Sequence, residues 1–112
     1  MFSTQRFLSI LALVGMANAF SGDATFYAPG LGACGKHNTA SDHIVALSVA
    51  QYGNGEHCSK SIGVNYEGKY VEAEVVDKCE GCGSSDIDLS PSAFTELAPE
   101  TKGRIQVTWN YL

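Results

Sequence analysis

Beyond residue 20 the apolar stretches of this 112-residue chain are short and punctuated by glycine. That pattern belongs to an all-β barrel or sandwich, because strands need few residues and tight turns need glycine. GDATFYA (22–28) predicts a first strand ended by Pro29-Gly30, and IVALSV (44–49) a second, followed by turn-rich QYGNGEH. SIGVNY (61–66) and KYVEAEVVD (69–77) flank Glu67-Gly68 as a hairpin. DIDLS (86–90) and RIQVTWNYL supply two more strands, the last with Ile105, Val107, Trp109 and Tyr111 on one face. Between them Ser90 suits an N-cap and Pro91 a first helical position, so one short helix is expected to about Ala98. About six strands and one helix follow, with no repeat, linker or domain boundary.

The first 19 residues stand outside this pattern. Arg6, the apolar run Phe7–Met16 and the ending Ala17-Asn18-Ala19 predict a secretory signal cleaved after Ala19. The run is too short to cross a hydrocarbon layer of about 30 Å. The remaining residues 20–112 are expected to form one soluble, secreted domain. A core of that size usually needs cross-links, and Cys34, Cys58, Cys79 and Cys82 can supply them. Three pairings are open, of which Cys34–Cys58 with Cys79–Cys82 is favoured. Zinc is the rival reading of Cys-x-x-Cys, but Cys34 and Cys58 are no second close pair. A redox dithiol lacks the helix that should follow it. No metal or other cofactor is expected.

Without the leader and its Arg6, 12 acidic residues face 6 basic ones, a net charge of −6. That disfavours nucleic acid and anionic membranes as partners and suits a neutral polymer such as a polysaccharide. A monomer is expected.

The stretch VVDKCEGCGSSDIDLSPSAF (75–94) carries the chemistry. Asp77 and Asp88 end two apolar segments on either side of the Cys-x-x-Cys loop. If the fourth strand is regular, Asp77 shares the apolar face of Val71, Ala73 and Val75 and is partly desolvated there. Two carboxylates on one groove can divide their roles, one held neutral as an acid. A pair can also cut a glycosidic bond. Thr25, in the first strand, is the third candidate, while Asp86 reads as a solvated loop charge. Tyr27, Tyr52, Tyr66 and Tyr70 could stack on sugar rings, whereas Trp109 alternates in phase with the core. His37, His43 and His57 lack metal-ligand spacing and read as surface groups. No serine lies in a nucleophile elbow.

GDATFY, ACGKHNTASDHIVALS, VVDKCEGC, DIDLSPSAF and RIQVTWNYL together resemble a six-stranded double-psi β-barrel across nearly all of residues 20–112. This is the fold of the first domain of expansins, barwin-like proteins, rare lipoprotein A and family 45 endoglucanases; the chain is most similar to single-domain fungal loosenins. The resemblance implies polar groove residues at Thr25, Asp77 and Asp88, with Asp88 essential for wall loosening. It also supports Cys34–Cys58. Two departures matter. Cys79 stands where bacterial expansins have a groove tyrosine, and no carboxylate lies between Asp23 and Asp42, where the endoglucanases keep their base. Hydrolysis is therefore disfavoured. The second, carbohydrate-binding domain of full expansins is absent, so weak binding through the barrel is expected. The expected function is non-hydrolytic loosening of cellulose or chitin. The alternatives are a barwin-like protease inhibitor or effector, and a lytic transglycosylase or glycosidase on wall glycan.

Overall fold

The computed structural model describes residues 19–112; the leader expected over residues 1–19 lies outside the described residues, Ala19 apart. Six strands, β1 (Phe20–Phe26), β2 (Ile44–Ser48), β3 (Ser61–Tyr66), β4 (Lys69–Cys79), β5 (Ile87–Leu89) and β6 (Ile105–Tyr111), close into a barrel in the order β1-β5-β2-β4-β3-β6. β1 runs parallel to β5 and β2 parallel to β4; the other four pairings are antiparallel. This is the expected double-psi β-barrel. Closure leaves no free sheet edge, which suits a domain with so small a core.

The core fills by alternation. Ala24, Val45, Leu47, Ile62, Val64, Val75, Ile87 and Leu89 are fully buried inside the barrel. Trp109 closes one end, with its ring 4.4 Å from that of Phe20 and its indole Nε1 donating to the Ser85 carbonyl at 2.9 Å. A buried indole needs such an acceptor. At the other end Phe94 packs on Phe26, ring centroids 4.9 Å apart. Glu67 and Gly68 both take positive φ, as a two-residue hairpin turn requires.

Several local expectations are corrected. Val49 does not extend β2 but starts a short helix, α1 (Val49–Tyr52), because Ser48 Oγ accepts from the Gln51 amide and caps it. The second helix, α2 (Pro91–Thr95), is shorter than expected, though the Ala98 amide still bonds the Phe94 carbonyl before Pro99 stops the chain. A 3₁₀ turn (Glu100–Lys102) then leads to β6. Both favoured cystines are present, Cys34–Cys58 and Cys79–Cys82.

The correction that matters most is in β4. Val45 of β2 faces Val75, but the next residue, Ala46, faces Asp77. Val75 and Val76 therefore form a β-bulge, and both are buried. One extra residue reverses the parity of everything after it. Asp77 consequently leaves the face of Val71, Ala73 and Val75 and emerges on the outer wall.

Candidate functional site

The register lines up one row of outward residues over four adjacent strands. Thr25 on β1 faces Asp88 on β5, Asp88 faces Ala46 on β2, and Ala46 faces Asp77 on β4. At about 4.8 Å between strands, the two aspartate backbones stand roughly 10 Å apart. Ala46 between them is 2% exposed and offers only a methyl group, so the row is a shallow trough.

The two carboxyls are held very differently. Thr25 Oγ1 donates to Asp88 Oδ1 at 2.8 Å, and Asp88 is half-buried. Burial pushes the Asp88 carboxyl above the usual carboxylate range; the Thr25 hydrogen bond and the Arg104 charge oppose this, and the Asp77 charge adds to it. Such a group can hold a proton that an ordinary aspartate would have lost. Asp77, by contrast, is engaged by its surroundings. Its Oδ1 accepts from the Ala33 and Lys78 amides, each at 2.8 Å, and its Oδ2 lies 3.4 Å from the Tyr27 hydroxyl. Burial first, then the charge of Asp77, keeps the Tyr27 phenol protonated well above its ordinary range.

Asp77 thereby ties down the segment between β1 and β2. Leu31 bridges His37, the Gly32 amide bonds the Lys36 carbonyl, and the Cys34 amide bonds the Val76 carbonyl at 3.1 Å. Gly32 fits only because it lacks a side chain: a Cβ there would stand 2.3 Å from the Val76 carbonyl oxygen. The Cys34–Cys58 cystine fastens the same strap. On the other side the Cys79–Cys82 loop leads into β5 and is anchored by Ser48 Oγ, which donates to the Ser84 carbonyl at 2.8 Å.

The sequence-expected residues divide into groups. Thr25, Asp77, Asp88 and Tyr27 come together. Tyr52 stands beyond Asp77 at the end of β4, with Lys78 Nζ 5.3 Å from its ring and its hydroxyl 3.7 Å from Cys58 Sγ, partly in the core. Tyr66 and Tyr70 lie at the β3–β4 hairpin, and Tyr70 is seven residues before Asp77, some 20 Å along the strand. They are not part of the trough. Asp86 is no free loop charge, since it accepts from the Asp23 amide at 2.8 Å and the Gly83 amide at 3.2 Å. His57 is half-buried, stacked on Tyr111 at 4.1 Å. Arg104 was not singled out from the sequence, yet its guanidinium pairs with Asp23 at 3.1 Å and acts on Asp88. Its place follows from β1–β6 pairing, which no local pattern announces.

Residues 19–109 match the protein family described as Lytic transglycolase. The chain is 35% identical over 111 residues to the Allergen Asp f 7 homolog of Arthroderma benhamiae, covering 82% of this chain but only 38% of that protein. It is 35% identical over 101 residues to the Papain inhibitor of Streptomyces mobaraensis, covering 82% of this chain and 71% of that protein. The solved structure of the Streptomyces papain inhibitor superposes with a TM-score of 0.78 over 84% of this chain and 94% of the other. A mutant Clavibacter michiganensis expansin in complex with cellohexaose also superposes at 0.78, with 27% identity, over 84% of this chain and 50% of the expansin.

Proposed function

This chain belongs to the expansin-like double-psi β-barrel family, and on that premise we propose that it is a secreted protein that binds wall polysaccharide and loosens it without hydrolysis. The observation that carries the reading is the asymmetric pair on one open row: Asp88 half-buried with a raised pKa, Asp77 held by two amides on one oxygen and the Tyr27 hydroxyl at the other. A protonated Asp88 can donate to an oxygen of a glucan or chitin chain lying across the Ala46 floor. Thr25 holds Asp88 in place, and Tyr27 and the strap form one bank of the trough. The complex of the related expansin with cellohexaose supports a glycan as ligand.

Hydrolysis would need a second carboxylate free to activate water or to attack the sugar. Asp77 already accepts two amides and faces the Tyr27 hydroxyl, Asp23 is paired with Arg104, and Asp42 accepts from the Thr39 amide and Asn38. Disruption of contacts between chains suits this arrangement better than hydrolysis. The test is to incubate the protein, beside Asp88→Asn, with cellulose and chitin while following swelling and released sugar. Loosening without new soluble ends is expected, and its loss in Asp88→Asn. Accumulating ends would favour lysis instead.

A protease-inhibitor reading has one specific support. The similarity to the Streptomyces papain inhibitor covers nearly all of that chain, and the strap displays Leu31 at 64% exposure. Titrating papain with the wild type, with Leu31→Asp and with Asp88→Asn separates the readings: inhibition should be lost in Leu31→Asp and kept in Asp88→Asn.

A further inference from the structure

We propose that the barrel wall turned away from the aspartates is a second binding platform for a neutral glycan. Tyr70 on β4 faces Asn65 on β3, Asn65 faces Thr108 on β6, and Thr108 faces Ser21 on β1. This outer row crosses four strands, about 15 Å. Asn65, Thr108, Ser21 and the neighbouring Gln106 are exposed amides and hydroxyls. They line a concavity of about 420 Å³ on this wall, with neither Asp77 nor Asp88 in its lining.

The chemistry selects the ligand. The hydroxyl and amide groups offer both donors and acceptors without net charge, which matches sugar hydroxyls. Asp23 within the concavity is neutralised by Arg104 at 3.1 Å, and Glu67 at the rim repels anions. A ring stands beside the concavity, since Tyr70 is paired with Asn65 of its lining. Tyr70, 49% exposed, lies over Gly63 so closely that a Cβ there would meet its hydroxyl at 2.5 Å and its ring carbons at 2.9–3.0 Å. The missing side chain lets the ring lie across β3 beside Asn65, where it can pack on the apolar face of a sugar while its hydroxyl donates to Glu72 Oε2 at 2.9 Å, a second carboxylate that repels anions. A solvated strand face needs neither the concavity nor an aromatic laid over a glycine. Binding on this wall involves neither Asp77 nor Asp88 and does not depend on the role of Asp88. Two glycan-binding walls on one barrel would let a single molecule sit between neighbouring polysaccharide chains.

The test is NMR titration with cellohexaose and with chitohexaose, reading the backbone amides and the side-chain amides of Asn65 and Gln106. Saturable shifts at Asn65, Gln106 and Thr108 are expected in the wild type and unchanged in Asp88→Asn. Tyr70→Ala should lose them, and so should Gly63→Ala, which keeps the tyrosine but displaces its ring. Both should leave shifts around Thr25 and Asp88 intact. Shifts confined to the aspartate row overturn the platform. Shifts confined to the β3–β6–β1 wall support it and count against glycan binding at Asp88. Silence on both walls overturns both.

Discussion

Thr25 Oγ1 donates to Asp88 Oδ1 across the parallel β1–β5 pair at 2.8 Å, joining residues 63 positions apart. The bond fixes the carboxyl and occupies one oxygen. The other, Oδ2, meets no donor among the described residues and is the oxygen available to a ligand. A half-buried carboxyl with one free oxygen is a proton donor with a defined direction.

Loosening should therefore be strongest where Asp88 is protonated and should fall as pH rises through its raised pKa, above the ordinary carboxylate value of about 3.9. Thr25→Val removes a bond that favours the charged form. The pKa of Asp88 should rise further, and the descending limb should move to higher pH. Carboxyl NMR titration of Asp88 in the two proteins checks the shift, and the loosening profile checks its consequence. A limb that ignores Thr25→Val would mean another group sets the pH dependence.

The same burial makes a stability prediction. A carboxyl whose folded pKa is raised binds its proton more tightly in the fold than in the unfolded chain. Its ionisation then costs stability, beginning near the unfolded value and complete above the folded one. Asp88→Asn retains an acceptor for Thr25 and removes that cost. The variant should be more stable than the wild type at neutral pH, with the advantage vanishing in acid. Urea midpoints measured across pH would show it, and a constant difference would refute it.

Asp77 is expected to hold the strap in place. Asp77→Ala removes the acceptor of the exposed Ala33 amide and the part-buried Lys78 amide and should cost about 1 kcal/mol, whereas Asp77→Asn, which keeps an acceptor, should cost less. Amide hydrogen exchange at Ala33 and Cys34 should accelerate in the alanine variant before exchange in the barrel strands does. Simultaneous acceleration everywhere would show that the strap has no separate stability.

Removing Cys34–Cys58, which closes 24 residues, should cost about 3.5 kcal/mol, and removing Cys79–Cys82 roughly 2 kcal/mol. Paired Cys→Ser substitutions followed by chemical denaturation test the order. Equal losses would mean that strain or denatured-state structure outweighs loop length.

The strands, the Glu67-Gly68 hairpin and the Ser90-Pro91 helix start were legible in the residues, because each rests on neighbours in the chain. Val71, Ala73 and Val75 alternate, two positive-φ residues turn a hairpin, and a serine caps the amides that follow it. Thr25, Asp77 and Asp88 could also be named. What strand periodicity could not supply was which way Asp77 points, since a single extra residue at Val75–Val76 reverses it. That bulge is tied to the strap, whose Cys34 amide bonds the Val76 carbonyl.

Local pattern thus established the elements, the cystine candidates and the identity of the acidic residues. Barrel closure established their company. It put Asp88 beside Thr25, brought the Arg104 charge to bear on Asp88, and sent Tyr66 and Tyr70 away from the trough. Those relations depend on strand register between segments as much as 81 residues apart, as for Asp23 and Arg104, and register is set only when the whole core packs.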